Sequence, residues 1–315
     1  MTADEKNLKL WDTKTWNLII ERTVQKKITS LTFSPTNDIL WANKFGSVFA
    51  IQHSDFIDPS LQFANEEDTD HPKVKFLLGH CSLITHLKFC RFGEGFVLIS
   101  TDRDEKIRTS LYPESYCILS YCLGHKGFIS SIATIEYDPF HGKLYAITGS
   151  GDGTARLWSI PDGKPLDQHA PHPAPSSPTP PPTVKDLAIH STPSETTLAL
   201  IYEECAEVHL FNVELPSGRL SKVAREVLPS VPLCLGVVGG LFFVSTLKDG
   251  LLAFRPRGHA LGQPEGLAQI NPTLITQNEE KLEQLLEKLD WGNMRKLPDK
   301  VLKEQKKTKK IKTQQ

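Results

Sequence analysis

The chain has 315 residues, 39% of them hydrophobic, which is room for about two average domains or one large repeat fold and enough apolar material to exclude a disordered protein. Lys plus Arg total 36 against 37 for Asp plus Glu, so a net charge of −1 offers no global electrostatic hold on nucleic acid or an anionic membrane. No run of about 18 apolar residues occurs, no basic segment precedes an apolar one at the N-terminus, and six cysteines lie scattered without a C-x-x-C pair. The expectation is an intracellular protein that touches no membrane, with reduced, mostly packed thiols and neither disulfide framework nor zinc cluster.

In chain order, the first elements read as half a repeat. Residues 7–11 and 16–22 suit the third and fourth strands of a four-stranded unit whose first two are absent. Residues 27–77 then give strands at 28–33, 38–41 and 47–51 around a Lys44-Phe45-Gly46 turn. The stretch 55–72, with Glu66, Glu67, Asp68 and Asp70, reads as a solvated loop.

The clearest signal spans 80–123 and 125–168. Leu78-Gly79-His80 and Leu123-Gly124-His125 recur 45 residues apart, each ahead of a β-rich run at 83–89 or 128–137. A second apolar run follows (96–100, 144–148) and ends in a turn, Asp102-Arg103-Asp104-Glu105 or Gly151-Asp152-Gly153; a third strand comes next (106–110, 154–158). Four short antiparallel strands at such a period are the blade of a β-propeller, here of the WD-repeat kind. A histidine, a strand hydroxyl, a turn Asp and a strand Trp at these separations can close one buried hydrogen-bonded clasp, because Asp accepts from imidazole while both imidazole and indole reach the hydroxyl. His125, Thr148, Asp152 and Trp158 supply all four members. His80, Ser100 and Asp104 supply three, with Ser110 where the Trp belongs.

Weaker copies follow at 184–228 and 231–267, separated from the second repeat by an insert, 171–182, with seven prolines in twelve residues. The propeller thus runs over 1–267 as about five and a half blades. Beyond it, residues 268–315 hold a capping box (Thr276, Glu279) ahead of a Leu282, Leu285, Leu286, Leu289 helical stripe. A basic tail follows. Residues 295–312 carry nine basic and two acidic residues, net +7, so residues 1–293 carry −8. Lys306, Lys307, Lys309 and Lys310 are candidates for nonspecific RNA contact.

Gly149-Ser150-Gly151-Asp152-Gly153 spells a G-x-G-x-G pattern, but a nucleotide-cradling loop must open a helix, and residues 154–158 read as a strand. Recurrence of the histidines in successive units suits a structural clasp rather than an active site. No catalytic residue, cofactor or metal site is expected. Arg103, Lys106 and Lys126, with Phe128 beside the Gly-His turn, form a charged rim suited to docking a protein.

Residues 100–108 (Ser-Thr-Asp-Arg-Asp-Glu-Lys-Ile-Arg), followed by Cys122-Leu123-Gly124-His125 and by Ser150-Gly151-Asp152-Gly153-Thr154-x-Arg156-Leu157-Trp158, resemble the WD-repeat non-catalytic subunits of tRNA (guanine-N7-)methyltransferase. The resemblance is strong over 73–160 and architectural elsewhere. It implies a seven-bladed, mainly nuclear propeller. It further implies a heterodimer in which the propeller binds and stabilises a catalytic subunit that modifies guanosine 46 of tRNA and itself holds the S-adenosylmethionine site. Such proteins carry about one and a half further N-terminal blades. They also commonly carry a basic, partner-pairing residue six positions beyond the Gly-His histidine, where this chain has Ser131. The rival expectation is a WD-repeat adaptor unrelated to RNA, such as a ubiquitin-ligase substrate receptor.

Overall fold

The computed structural model describes residues 1–61, 71–170, 182–246, 248, 250–257 and 260–262. Most of the proline-rich insert, the Leu282–Leu289 stripe and Lys306, Lys307, Lys309 and Lys310 lie outside those residues.

The repeat period of the sequence becomes six antiparallel sheets. The first has three strands, β1 (Thr2–Asp4), β2 (Asn7–Trp11) and β3 (Leu18–Thr23). Each later sheet has four, in simple up-and-down order. The second holds β4 (Ile28–Phe33), β5 (Ile39–Asn43), β6 (Ser47–Ile51) and β7 (Lys75–Gly79). The third holds β8 (Ile84–Phe92), β9 (Gly95–Asp102), β10 (Ile107–Tyr112) and β11 (Ile118–Cys122). The fourth holds β12 (Ile129–Asp138), β13 (Lys143–Ser150), β14 (Ala155–Ser159) and β15 (Lys164–His169). The fifth holds β16 (Val184–Ser191), β17 (Thr196–Tyr202), β18 (Glu207–Glu214) and β19 (Arg219–Val227). The last holds β20 (Pro232–Val238), β21 (Leu241–Thr246), β22 (Gly250–Arg257) and β23 (Ala260–Gly262). This is an all-β propeller, in which β4, β8, β12, β16 and β20 pack one against the next as the inner strands.

The period-2 alternation of each strand explains why the sheets stack. Side chains on one face of a strand meet the preceding sheet, and those on the other meet the following one. On β13, Leu144 and Ala146 join Val97, Ile99 and Ile107 of the third sheet, while Tyr145 and Ile147 join Leu187, Leu198 and Leu200 of the fifth. Five such apolar layers, one between each consecutive pair, form the core.

Three expectations need correction here. The first sheet has three strands rather than two, because Thr2–Asp4 pairs with Asn7–Lys9 across a tight turn. The stretch read as a solvated loop starts with a helix, α1 (His53–Ile57), whose Phe56 is fully buried against the first two sheets. Arg22 fixes that helix in place, its guanidinium donating to the carbonyls of Phe56, Asp58 and Leu61. The thiols are not mostly packed: only Cys90 and Cys122 are buried, and burial pushes both up to about 12, whereas Cys205 is half-buried and Cys81, Cys117 and Cys234, in turns or on a strand face that no described sheet covers, are exposed.

Candidate functional site

Strand order places two kinds of turn at one end of the propeller: the connection from each outer strand to the next inner strand, and the turn between each sheet's second and third strands. They interlock through the backbone. Arg103 N donates to Leu83 O at 2.9 Å, and Gly151 N donates to Phe128 O at 2.8 Å. The clasps lie just beneath this surface.

In the fourth sheet the clasp has all four members. His125 Nε2 lies 2.8 Å from Thr148 Oγ1, His125 Nδ1 lies 3.1 Å from Asp152 Oδ2, and Trp158 Nε1 donates to Thr148 Oγ1 at 2.8 Å. Asp152 is held from three further directions, by the Lys126 amide, the Thr154 amide and the Thr154 hydroxyl. Burial pushes the Asp152 carboxyl up, but the His125 hydrogen bond and charge, with the Thr154 and Lys126 donors, outweigh it and hold the group well below the usual carboxylate range. Burial pulls the His125 imidazole below its ordinary value, against Asp152, which favours the charged form. A neutral imidazole between a carboxylate and a hydroxyl is a fixed, satisfied link.

The third-sheet clasp differs from expectation. His80 Nε2 meets Ser100 Oγ at 2.7 Å, but Nδ1 meets Asp102 Oδ2 at 2.9 Å, so the carboxylate member is Asp102 and not Asp104. Ser100 and Asp102 are two residues apart on β9 and project from the same face, with Asp102 almost wholly buried. The same carboxylate accepts from the Asp104 and Lys106 amides and shapes the turn. Ser110, in the place of the Trp, accepts instead from the Nε of buried Arg108, whose other donors reach the Gly79 and Ser115 carbonyls. The first sheet keeps a remnant that the sequence reading missed: Trp11 Nε1 donates to Thr2 Oγ1 at 2.9 Å, as Trp158 does to Thr148.

Of the four expected rim residues, Arg103, Lys106 and Lys126 are exposed at the turn end. Phe128 is not. It is 2% exposed and lies under Gly151, where a Cβ would come within 2.4 Å of its ring, so it supports the turn from below and offers no surface anchor. The ion pair of Arg103 with Asp104, 3.8 Å at an exposed position, leaves Arg103 available to a partner. Ser131 is buried on β12, where its hydroxyl donates to Asp186 at 2.8 Å; Asp186 in turn accepts from the Leu235 amide and ties three sheets together. The Gly149–Gly153 loop leads into strand β14 rather than a helix. Among the described residues no cluster of three or more His, Cys, Asp or Glu side chains has the geometry of a metal site. No helix there is long and apolar enough to cross a membrane.

Comparison with known proteins agrees with this geometry. A family model described as the tRNA methyltransferase TRM82 WD40 domain matches residues 52–238. The chain is 39% identical over 166 residues to a tRNA (guanine-N(7)-)-methyltransferase non-catalytic subunit wdr4 of Xenopus laevis, covering 52% of this chain and 37% of that one. It is 34% identical over 167 residues to the Homo sapiens protein of that name, covering 53% and 36%, and 32% identical over 232 residues to that of Bos taurus, covering 72% and 50%. The chain therefore spans half or less of the length of these relatives. Among solved structures it is similar to the computationally designed Ika8 protein (TM-score 0.51, 16% identity, 84% of this chain and 82% of that one). It is also similar to a chain of the mitotic checkpoint complex (TM-score 0.60, 14% identity, 83% and 71%). At those identities the two structures speak for the fold alone.

Proposed function

The chain belongs to the tRNA methyltransferase TRM82 WD40 domain family, and from that premise we propose that it is a non-catalytic subunit that binds and stabilises a catalytic tRNA (guanine-N7)-methyltransferase for modification of guanosine 46. The match over residues 52–238, which contains both clasps and the charged rim, carries this reading. The pair works in the nucleus, the chain holds no cofactor of its own, and tRNA is engaged through the complex. What the propeller contributes is rigidity. Each clasp pins an outer-to-inner connection to the neighbouring turn, so Arg103, Lys106 and Lys126 are held on a preformed surface that pays little ordering entropy on docking.

Charge reversal tests that surface. The double variant Arg103→Glu, Lys106→Glu is expected to keep its melting temperature, since both side chains are exposed, and to lose stoichiometric co-purification with the catalytic subunit at moderate salt. Intact co-purification of the double variant rejects this face as the interface.

The basic tail adds a second, cruder contribution. A net +7 segment attracts polyanions by releasing their counterions, a force that is steeply salt-dependent and reads no sequence. Deleting residues 294–315 is expected to weaken tRNA affinity of the assembled complex and flatten its salt dependence, with partner binding unchanged. An unaltered salt slope removes the tail from the RNA contact.

A further inference from the structure

Three turns from the first two sheets converge at the same end of the propeller. The β1–β2 turn, the β3–β4 connection and the β5–β6 turn are stitched together by their backbones: Val24 N donates to Lys6 O at 2.8 Å, Ile28 N to Glu5 O at 2.7 Å, and Lys44 N to Lys27 O at 3.0 Å. Lys6, Lys26, Lys27 and Lys44, all exposed, are thereby gathered around Phe45, whose ring is 60% exposed. The ammonium groups of Lys26 and Lys44 stand 5.6 and 5.1 Å from the ring centroid. Glu5 pairs with Lys27 at 2.9 Å and Asp4 with Lys9 at 3.9 Å, and among the described residues no ion pair engages Lys6, Lys26 or Lys44. The hydrogen bond and charge of Lys27, followed by the charges of Lys6 and Lys44, hold the Glu5 carboxyl below its usual range. The turn that presents the ring is preformed. Asn43 Oδ1 accepts from the Phe45 and Ser47 amides, and Gly46, at φ +91°, sits where a Cβ would meet the His80 carbonyl oxygen at 2.4 Å.

Four ammonium groups against one carboxylate make a local charge of +3 on a chain whose first 293 residues carry −8. An exposed ring flanked by unneutralised lysines on a rigid turn is poorly explained as a packing element, because the ring buries little and the cations repel one another. The arrangement suits a polyanion whose repeating unit has a flat apolar face. Single-stranded nucleic acid has both parts, its bases stacking on aromatic rings while cations follow its phosphates. In a duplex the base faces are covered, which selects loops and unpaired ends. We propose that Lys6, Lys26, Lys44 and Phe45 form a binding site for an unpaired RNA segment, one base stacking on Phe45 and the flanking phosphates meeting the lysines. The choice of RNA rests on the reading that this subunit serves a tRNA enzyme, but its test does not require the partner.

The full chain would be used, with Lys306, Lys307, Lys309 and Lys310 changed to Ala throughout, which lowers the tail's charge from +7 to +3 and keeps its remaining contribution the same in every variant. Binding of a labelled oligoadenylate of about 12 nucleotides and of labelled tRNA is followed by fluorescence anisotropy across a salt series. Lys26→Ala, Lys44→Ala is expected to weaken binding and flatten the salt slope by about 1.4, the release from two single-strand phosphates. Phe45→Ala is expected to weaken it by about five- to a hundredfold with the slope unchanged, and Phe45→Trp to restore it. All three positions are exposed, and unchanged melting temperatures confirm folding. Binding indifferent to these substitutions overturns the proposal. So does a lysine effect without a Phe45 effect, with heparin displacing the RNA as well as oligoadenylate does, since that marks a generic polyanion patch. If the variants bind RNA normally but lose the catalytic subunit, the patch is a protein interface and the proposal also fails. Failure of the unaltered chain to bind any methyltransferase subunit would overturn the functional reading and leave the RNA result standing.

Discussion

Trp158→Ala is expected to cost about 3–5 kcal/mol of folding stability, the range for removing a large buried aromatic, and Asp152→Ala about 1–3 kcal/mol. The indole is fully buried in the layer between the third and fourth sheets, among Ile107, Cys122, Ile129 and Ile160, so its loss opens a cavity that rigid strands on both sides cannot close. It also removes one of the two groups bonded to the buried Thr148 hydroxyl. Asp152→Ala leaves packing almost untouched and instead strips Lys126 N and Thr154 N of their acceptor. The ranking of the two variants separates packing from hydrogen bonding at one site. Chemical denaturation reads both values, and an Asp152→Ala loss larger than that of Trp158→Ala would show that the clasp, not the core beneath it, dominates. Neither substitution removes a rim side chain. Loss of partner binding by Trp158→Ala should therefore track the unfolded fraction at the assay temperature, whereas Asp152→Ala also frees the Lys126 amide and should weaken docking somewhat beyond that fraction.

How far the sequence carried these conclusions differs from residue to residue. The fourth-sheet clasp was legible because Gly151 and Gly153 flank Asp152 and let the turn fold its carboxylate back onto His125. An equal offset in the third sheet pointed to Asp104, and it failed because the Asp102-Arg103-Asp104-Glu105 turn has no glycine and the same-face partner of Ser100 is the strand residue two positions on. Strand periodicity would have corrected that choice. Phe128 looked like a surface aromatic because it follows a turn. Only the missing Cβ of Gly151, opposite it in space and 23 positions away in sequence, shows that the ring has room to lie inward. Strand β1 was passed over because three exposed residues give no periodic signal, although Thr2 and Trp11 repeat the hydroxyl and indole of Thr148 and Trp158 at nearly the same separation. The Lys26, Lys44 and Phe45 cluster depends on backbone bonds between turns of different sheets, and no local pattern announces it.

Acidification from pH 7 to 5 is expected to cost this propeller several kcal/mol, and His86 should account for about 2 kcal/mol of that. His86 lies on inner strand β8 with its Nδ1 buried and unpartnered among the described residues; burial, and then the charge of Lys88, push the imidazole down to about 4. His169, at the end of β15 against Phe211, is likewise pushed to about 4, by burial first and then by Lys222 and His209. His125 and His209 are shifted in the same direction, each chiefly by burial. The sign follows directly. At His86 and His169, between about 6.5 and 4, the unfolded chain binds protons and the folded chain does not, so their contribution to stability is complete above 6.5 and drains away as the pH falls toward 4. The carboxylates of Asp102 and Asp152 add nothing in this window, because groups held below their usual range lose their contribution only under more acidic conditions. Urea midpoints measured at half-unit steps from pH 7 to 5 should fall steadily for the parent chain. His86→Gln, which cannot titrate, should fall less, recovering about 2 kcal/mol of the loss at pH 5 whatever its stability at pH 7. Parallel curves for parent and variant would mean that His86 carries its proton in the folded state, and the burial argument for that strand would be wrong.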